Sequence, residues 1–156
     1  GQLDPKLFDL PLSYYHPIGT TDSEYAFCWL LGQVRERFPQ RPDNFSEVIE
    51  LIHCCCDQLR ELGVFNMLMT ESEYLLAYCS TKLSWITRRA PFGRARLTDE
   101  ELTVDFCKET TPNDIVTVVT TEPLTNNEHW RKLQTGEMIV FRAGVQQPLS
   151  RCFGHA

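Results

Sequence analysis

Apolar and polar residues alternate along this chain with two different periods, and the change of period divides it. Between residues 3 and 18 neither period survives, because Pro5, Pro11, Pro17 and then Gly19 interrupt every apolar run. Asp22-Ser23-Glu24 opens a segment in which Phe27, Leu30, Leu31 and Val34 recur on one side at helical spacing, which predicts a helix to about Phe38. Its acidic start suits the positive end of the helix dipole, and Pro39 and Pro42 end it. Asn44 or Ser46 can cap a second helix reaching about Leu62, with Val48, Leu51, Ile52, Cys55 and Leu59 on its apolar face. Gly63 supplies the stop, and the short connection between the helices favours an antiparallel pair.

Beyond Gly63 the pattern becomes that of strands. Residues 64–69 and 74–79 flank a polar turn at Glu71-Ser72-Glu73, a hairpin signal. Lys82 to Arg88 continues the sheet through Trp85 and Ile86, and Leu102 to Phe106 alternates apolar and polar. Ile115 to Thr120 is a β-branched run, and Glu137 to Arg142 is a last strand. Residues 143–156 read as an irregular tail. Two helices followed by antiparallel strands predict an α+β fold with helices layered on a sheet. No internal repeat or linker breaks the chain, and 156 residues suffice for one domain with its own core.

Composition narrows the function classes. A hydrophobic share of 42% and a charged share of 23% are those of a globular domain. The net charge of −6 disfavours nucleic acid and anionic membrane as partners. Arg88-Arg89 with Arg94 and Arg96 is the local exception, and it reads as a solvated loop. No run approaches the length of a membrane span. Seven cysteines include no Cys-x-x-Cys pair. The consecutive Cys54, Cys55 and Cys56 would project about 100° apart on a helix, too divergent to share a metal. They read as reduced, mostly buried thiols of a cytoplasmic protein.

Most chemical candidates weaken on inspection. Cys28 inside the first helix and Cys79 in a strand lack an evident base or a helix N-terminus, so both read as core thiols. The histidines show no His-x-x-x-His spacing, and His53 beside its cysteines reads as a partly buried structural residue. There is no phosphate-cradling glycine loop, so neither a metal nor a cofactor is implied. Asp22 differs, because a carboxylate at a helix start has two readings. It can be an N-cap or first-turn residue, or it can receive the ammonium group of an amino acid. Spacing leaves both open.

Several blocks, in order, resemble a known family. They are Gly1-Gln2-Leu3, Thr21 to Leu31, Gly63 to Leu68, Ala77 to Thr81, Trp85 to Gly93, Thr110 to Asp114 and Pro123-Leu124-Thr125. Together they resemble the C-terminal part of the class II (N-terminal-nucleophile) glutamine amidotransferases, and within them the stand-alone YafJ-type subgroup. The likeness runs from Gly1 to about Phe141, so that residues 1–142 would be the C-terminal part of an amidotransferase domain. It implies a four-layer αββα sandwich and an enzyme that hydrolyses glutamine to glutamate and ammonia through a thioester on an N-terminal cysteine.

The resemblance also implies roles. Gly1 matches the glycine of an Asn-Gly pair whose side-chain amide and backbone N–H form an oxyanion hole. Asp22 matches the acidic residue that holds the substrate's α-ammonium, and Thr21 beside it can contact the substrate carboxylate. The nucleophilic cysteine, an arginine for the substrate carboxylate and the Asn before Gly1 would all precede residue 1, and none of the seven cysteines matches the nucleophile. The chain alone is therefore expected to lack amidotransferase activity. L-Glutamine is the implied ligand, and nothing names an ammonia acceptor. Sheet edges left by absent strands would be covered by self-association or by a separate N-terminal half. Two rivals share the pattern: a non-catalytic glutamine-binding or interaction module, and an N-terminal-nucleophile hydrolase of another amide.

Overall fold

The helix expected from Asp22 runs over Asp22–Arg37 (α1), and the second over Phe45–Glu61 (α2). The computed structural model describes residues 3–98, 103–106 and 111–149. Contacts divide them into a first unit with its main span ending at Phe65 and a second unit, Asn66–Pro148.

In the first unit, Thr21 is extended and caps α1, its side chain accepting from the Glu24 N–H. Asp22 and Glu24 occupy the first turn and Arg35 and Arg37 the last, the distribution that the helix dipole favours. The buried stripe is Ala26, Trp29 and Leu30, whereas Phe27 is 46% exposed. The expected stripe thus shares only Leu30 with the observed buried one. Residues 26–31 are nearly all apolar, so helical period alone does not choose between the two stripes. In α2 the Asn44 side chain caps through the Ser46 N–H, and Val48, Ile49, Ile52, Cys55, Cys56 and Leu59 are buried. α1 packs against α2 and against a 3₁₀ helix at Pro5–Asp9, in a span expected to be irregular. Asp4 caps that turn through the Lys6 N–H, and Pro5 pre-sets its first φ. Its Leu7 is fully buried.

The described residues of the second unit are strand and loop, apart from a 3₁₀ position at Phe106. Its strands are β1 (Met67–Thr70), β2 (Tyr74–Cys79), β3 (Ser84–Arg89), β4 (Arg94–Arg96), β5 (Thr103–Asp105), β6 (Ile115–Thr120), β7 (Arg131–Lys132), β8 (Glu137–Arg142) and β9 (Val145–Gln147). They form sheets ordered β1-β2-β8-β9, β6-β3-β7 and β4-β5, every pair antiparallel. The first strand begins later than residue 64 because Asn66 closes the hairpin's open end. Its Oδ1 accepts from the Ser80 and Thr81 N–H groups at 2.9 and 3.2 Å, and its Nδ2 donates to Thr81 Oγ1 at 2.8 Å.

Strands β2 and β8 are buried on both faces. Leu76, Tyr78, Met138 and Val140 lie on one face. Ala77, Cys79, Ile139 and Phe141 lie on the other, where they join Leu83, Trp85 and Leu133 in one apolar cluster. Trp85 meets Phe141 edge-on at 5.1 Å, tying the β3 sheet to the β2–β8 sheet.

Three strands depart from the expectation. Arg94–Arg96 is a strand rather than solvated loop, because Ala95 is buried opposite Val104. Arg88, also expected in solvent, lies in β3 with its guanidinium bonded twice to Glu128, at 2.7 and 2.6 Å. Arg131–Lys132 pairs with only the first two residues of β3, too short to read from sequence. Val145–Gln147, in the tail expected to be irregular, returns along β8 through a tight turn at Ala143 and Gly144, both with positive φ. The remainder of that tail from residue 150, and Leu102 at the start of one expected strand, lie outside the described residues.

Candidate functional site

A loop fixed at several points delivers the start of α1. Glu24, one turn into the helix, reaches back so that Oε1 accepts from the Ile18 N–H at 2.8 Å and Oε2 from the Gly19 N–H at 2.9 Å. Thr21 Oγ1 accepts from the Glu24 N–H at 3.3 Å. The Tyr25 hydroxyl lies 2.8 Å from the Leu10 carbonyl and 3.1 Å from that of Phe8, with its ring edge-on to Phe8. These bonds hold the segment before the helix against α1.

Asp22 is the first helical residue, and the capping position belongs to Thr21. Its Oδ1 accepts from the Ser23 N–H at 2.9 Å, and its Oδ2 accepts from the Leu3 N–H at 3.1 Å. The second bond spans nineteen residues of sequence. Leu3 is held from its other side as well, by a bridge to Gly63 and by the neighbouring Asp4 N–H on the Leu62 carbonyl at 2.6 Å. The carboxylate is half-buried, while Thr21 beside it is exposed. The structure therefore brings Thr21, Asp22 and the Leu3 amide together. Gly1, the remaining expected site residue, lies outside the described residues.

Sequence reasoning missed Glu24 and Tyr25 as the residues that shape this loop. The signal for Glu24 was present, because Thr21-Asp22-Ser23-Glu24 has the Ser/Thr-x-x-Glu spacing of a capping box. Tyr25 bonds to carbonyls fifteen and seventeen residues away, which no local pattern encodes.

The thiols lie apart from such chemistry. Cys28, Cys54, Cys55, Cys56 and Cys79 are free. Burial pushes the Cys55 thiol up to about 11, with Cys54 beside it adding to the shift. Burial also pushes Cys56 and Cys79 upward, so these thiols stay protonated near neutral pH. Among the described residues, no group of three or more His, Cys, Asp or Glu could hold a metal ion. No helix among them is long and apolar enough to cross a membrane. The second unit has an open cleft of about 480 Å³ whose lining includes Trp85, Thr87, Arg89, His129 and Arg131.

Residues 1–153 match the model of the family described as glutamine amidotransferases class-II. The predicted glutamine amidotransferase YafJ of Escherichia coli (strain K12) is 52% identical over 130 residues, covering 83% of this chain and 51% of YafJ. A predicted glutamine amidotransferase of Haemophilus influenzae is 36% identical over 136 residues, covering 87% of this chain and 46% of that protein. The crystal structure of a predicted glutamine amidotransferase from Pseudomonas aeruginosa PA01 superposes with a TM-score of 0.82 at 48% identity. It covers 94% of this chain and 57% of the solved one.

The α+β fold and these matches define a class II glutamine amidotransferase, the family to which this chain belongs. Within that family it is of the YafJ type. The chain spans about half the length of the curated relatives it matches.

Proposed function

We propose that this chain carries the substrate-recognition side of a glutamine-hydrolysing site, in a protein that converts L-glutamine to glutamate and ammonia. One observation carries the reading: the Asp22 carboxylate holds the Leu3 N–H at 3.1 Å. In the family pattern one glutamine spans the carboxylate that Asp22 matches and the glycine that Gly1 matches.

In this reading Asp22 receives the α-ammonium of glutamine, a three-donor cation for which a fixed carboxylate is the matching counter-ion. Thr21 spends an acceptor lone pair on the helix cap. Its O–H hydrogen is still available to donate to the substrate carboxylate. Gly1 takes the glycine position of the Asn-Gly oxyanion hole. A cysteine thiolate attacks the side-chain amide carbon, and negative charge develops on the amide oxygen. The C–N bond then breaks, and the nitrogen leaves as ammonia with the proton taken from the thiol by the α-amino base. Water attacks the thioester, the C–S bond breaks, and glutamate departs with the thiol restored. Preorganised donors at the oxyanion lower such barriers by about 3–4 kcal/mol each.

The attacking cysteine, its α-amine and the carboxylate-binding arginine align before Gly1 in the family pattern. None of the seven cysteines matches the nucleophile of that pattern. Residues 1–156 alone therefore release no ammonia from glutamine. The free thiols support a cytoplasmic setting, where thiols stay reduced. Calorimetry with L-glutamine tests recognition in the protein from its natural gene. Asp22→Ala should weaken binding, and unchanged affinity in a folded variant would sink the assignment.

A further inference from the structure

We infer that Glu24 is a positioning residue for glutamine recognition: its carboxylate pins the backbone at Ile18 and Gly19 and thereby fixes where Asp22 stands. The inference rests on the reading of Asp22 as the ammonium ligand.

The argument begins with a departure from the local rule. In a capping box the fourth residue's carboxylate turns back to the cap residue's own N–H. Here Thr21 keeps its half of the box, accepting from the Glu24 N–H at 3.3 Å. Glu24 passes over Thr21 and takes the amides of Ile18 and Gly19 instead, one on each oxygen, at 2.8 and 2.9 Å. Capping the helix needs neither of those bonds. What they fix is the approach of the chain, so that residues 18–21 form an arch anchored to the helix at both ends. Asp22 is the next residue.

Gly19 fits the same purpose. A Cβ there would lie 2.7 Å from Glu24 Oε2. The carboxylate in its observed place thus occupies the space that a side chain at residue 19 would take. Glu24 is the flexible partner, so a methyl at residue 19 would drive its carboxylate off the amides rather than break the helix. Ile18, held by its amide, is wholly exposed. Its side chain thus gains no burial from this loop geometry, and the Glu24 bonds act on its backbone.

The chemistry at stake is directional. A carboxylate accepts two N–H groups at once, whereas a glutamine side chain offers one acceptor oxygen and presents an NH₂ to the other amide. Glu24→Gln keeps the size and helix propensity of the residue but opposes donor to donor at one anchor. The arch loosens, and the entropy of fixing Asp22 is then paid on ligand binding.

The experiment measures binding by calorimetry to the protein expressed from its natural gene, with two ligands. L-Glutamine carries the α-ammonium, and glutaramate has the same amide and carboxylate without it. For Glu24→Gln the dissociation constant for L-glutamine should rise about tenfold or more, and that for glutaramate by less than about twofold. Gly19→Ala, which leaves the carboxylate in place but displaces it, should reproduce the pattern. Helical circular dichroism close to wild type in either variant shows that α1 has survived. Equal losses for both ligands, or no loss for glutamine in a folded variant, would overturn the inference. Asp22→Asn separates the two claims. If it leaves glutamine affinity unchanged, the ammonium assignment itself fails, whatever Glu24 does. If it abolishes the preference for glutamine while Glu24→Gln and Gly19→Ala do not weaken it, only the positioning role fails.

Discussion

Leu3 donates its N–H to Asp22 Oδ2 at 3.1 Å, so that the first helical residue of α1 is tied to the chain nineteen residues before it. The bond gives the carboxylate a structural role, beside the recognition role proposed for it. Thr21 does the capping, so Asp22 takes the first-turn place, and its bond to Leu3 is additional to that local role. A first-turn carboxylate that anchors a remote segment is placed by tertiary structure. The helix dipole favours a carboxylate there, and the bond to Leu3 is made beyond it.

Replacing Asp22 should therefore affect two measurements. Removing one partner of a close, charge-assisted pair costs about 2–5 kcal/mol of binding. Asp22→Ala should weaken L-glutamine binding accordingly, by calorimetry. Asp22→Asn, which retains an acceptor oxygen for the Leu3 N–H, should keep more thermal stability than Asp22→Ala while losing comparable affinity.

The pair Arg88–Glu128 should be a principal polar support of the second unit. The side chains are 17% and 18% exposed, and Thr125 adds a bond to Glu128 at 2.6 Å. Glu128→Ala leaves the guanidinium without its carboxylate and should cost about 2–3 kcal/mol by denaturant titration, below the range for fully buried pairs. The hydrogen bonds from Arg88 hold the Glu128 carboxyl below its ordinary value of 4.5. Its folded pKa is depressed, so the stabilisation is fully present above about pH 4.5 and is lost as pH falls through the folded pKa. Wild-type stability should drop in that acid window, and Glu128→Gln should remove this part of the slope.

Gly144 should resist substitution. Its φ is +73°, and a Cβ there would lie 2.8 Å from the Ile115 carbonyl oxygen, a backbone atom that cannot step aside. Thr117 Oγ1 donates to the Gly144 carbonyl at 2.7 Å, holding the turn close to β6. Gly144→Ala should destabilise by about 1–3 kcal/mol from the backbone conformation alone. Thermal unfolding checks it, with a turn residue such as Gly93→Ala as the mild control, since nothing lies within 4 Å of a Cβ there.

Thiol reactivity should follow burial along one helix. Cys54 is exposed, whereas Cys55 and Cys56 are 2% and 0% exposed with raised pKa values. Brief treatment with iodoacetamide near pH 8, read by peptide mass, should modify Cys54 and spare its two neighbours until the protein unfolds. A glutamine analogue bearing an electrophile should label none of the three, nor Cys28 or Cys79. Labelling at any of them that excess L-glutamine suppresses would overturn the placing of the nucleophile elsewhere.

How far the sequence reaches can be judged element by element. α2, β6 and β8 are legible within a residue or two, because each carries its own period and its own stop signals. β4, β7 and β9 are not, since strands of two or three residues exist only through their partners. Arg88 and Arg94 show the same limit: a basic cluster in sequence separates into a partly buried ion pair and an exposed strand residue once Glu128 and Asp105 arrive from elsewhere.

The sequence by itself determined the α+β class, the two helices and the family blocks that single out Asp22, because local period and ordered motifs survive without contacts. Tertiary structure decided which stripe of α1 is buried, which residue caps it and what Asp22 holds. Those outcomes depend on bonds closed over long stretches of chain, Leu3 to Asp22 and Tyr25 to Leu10 among them. A linear pattern records the residues at each end of such a bond, and only folding brings them within reach.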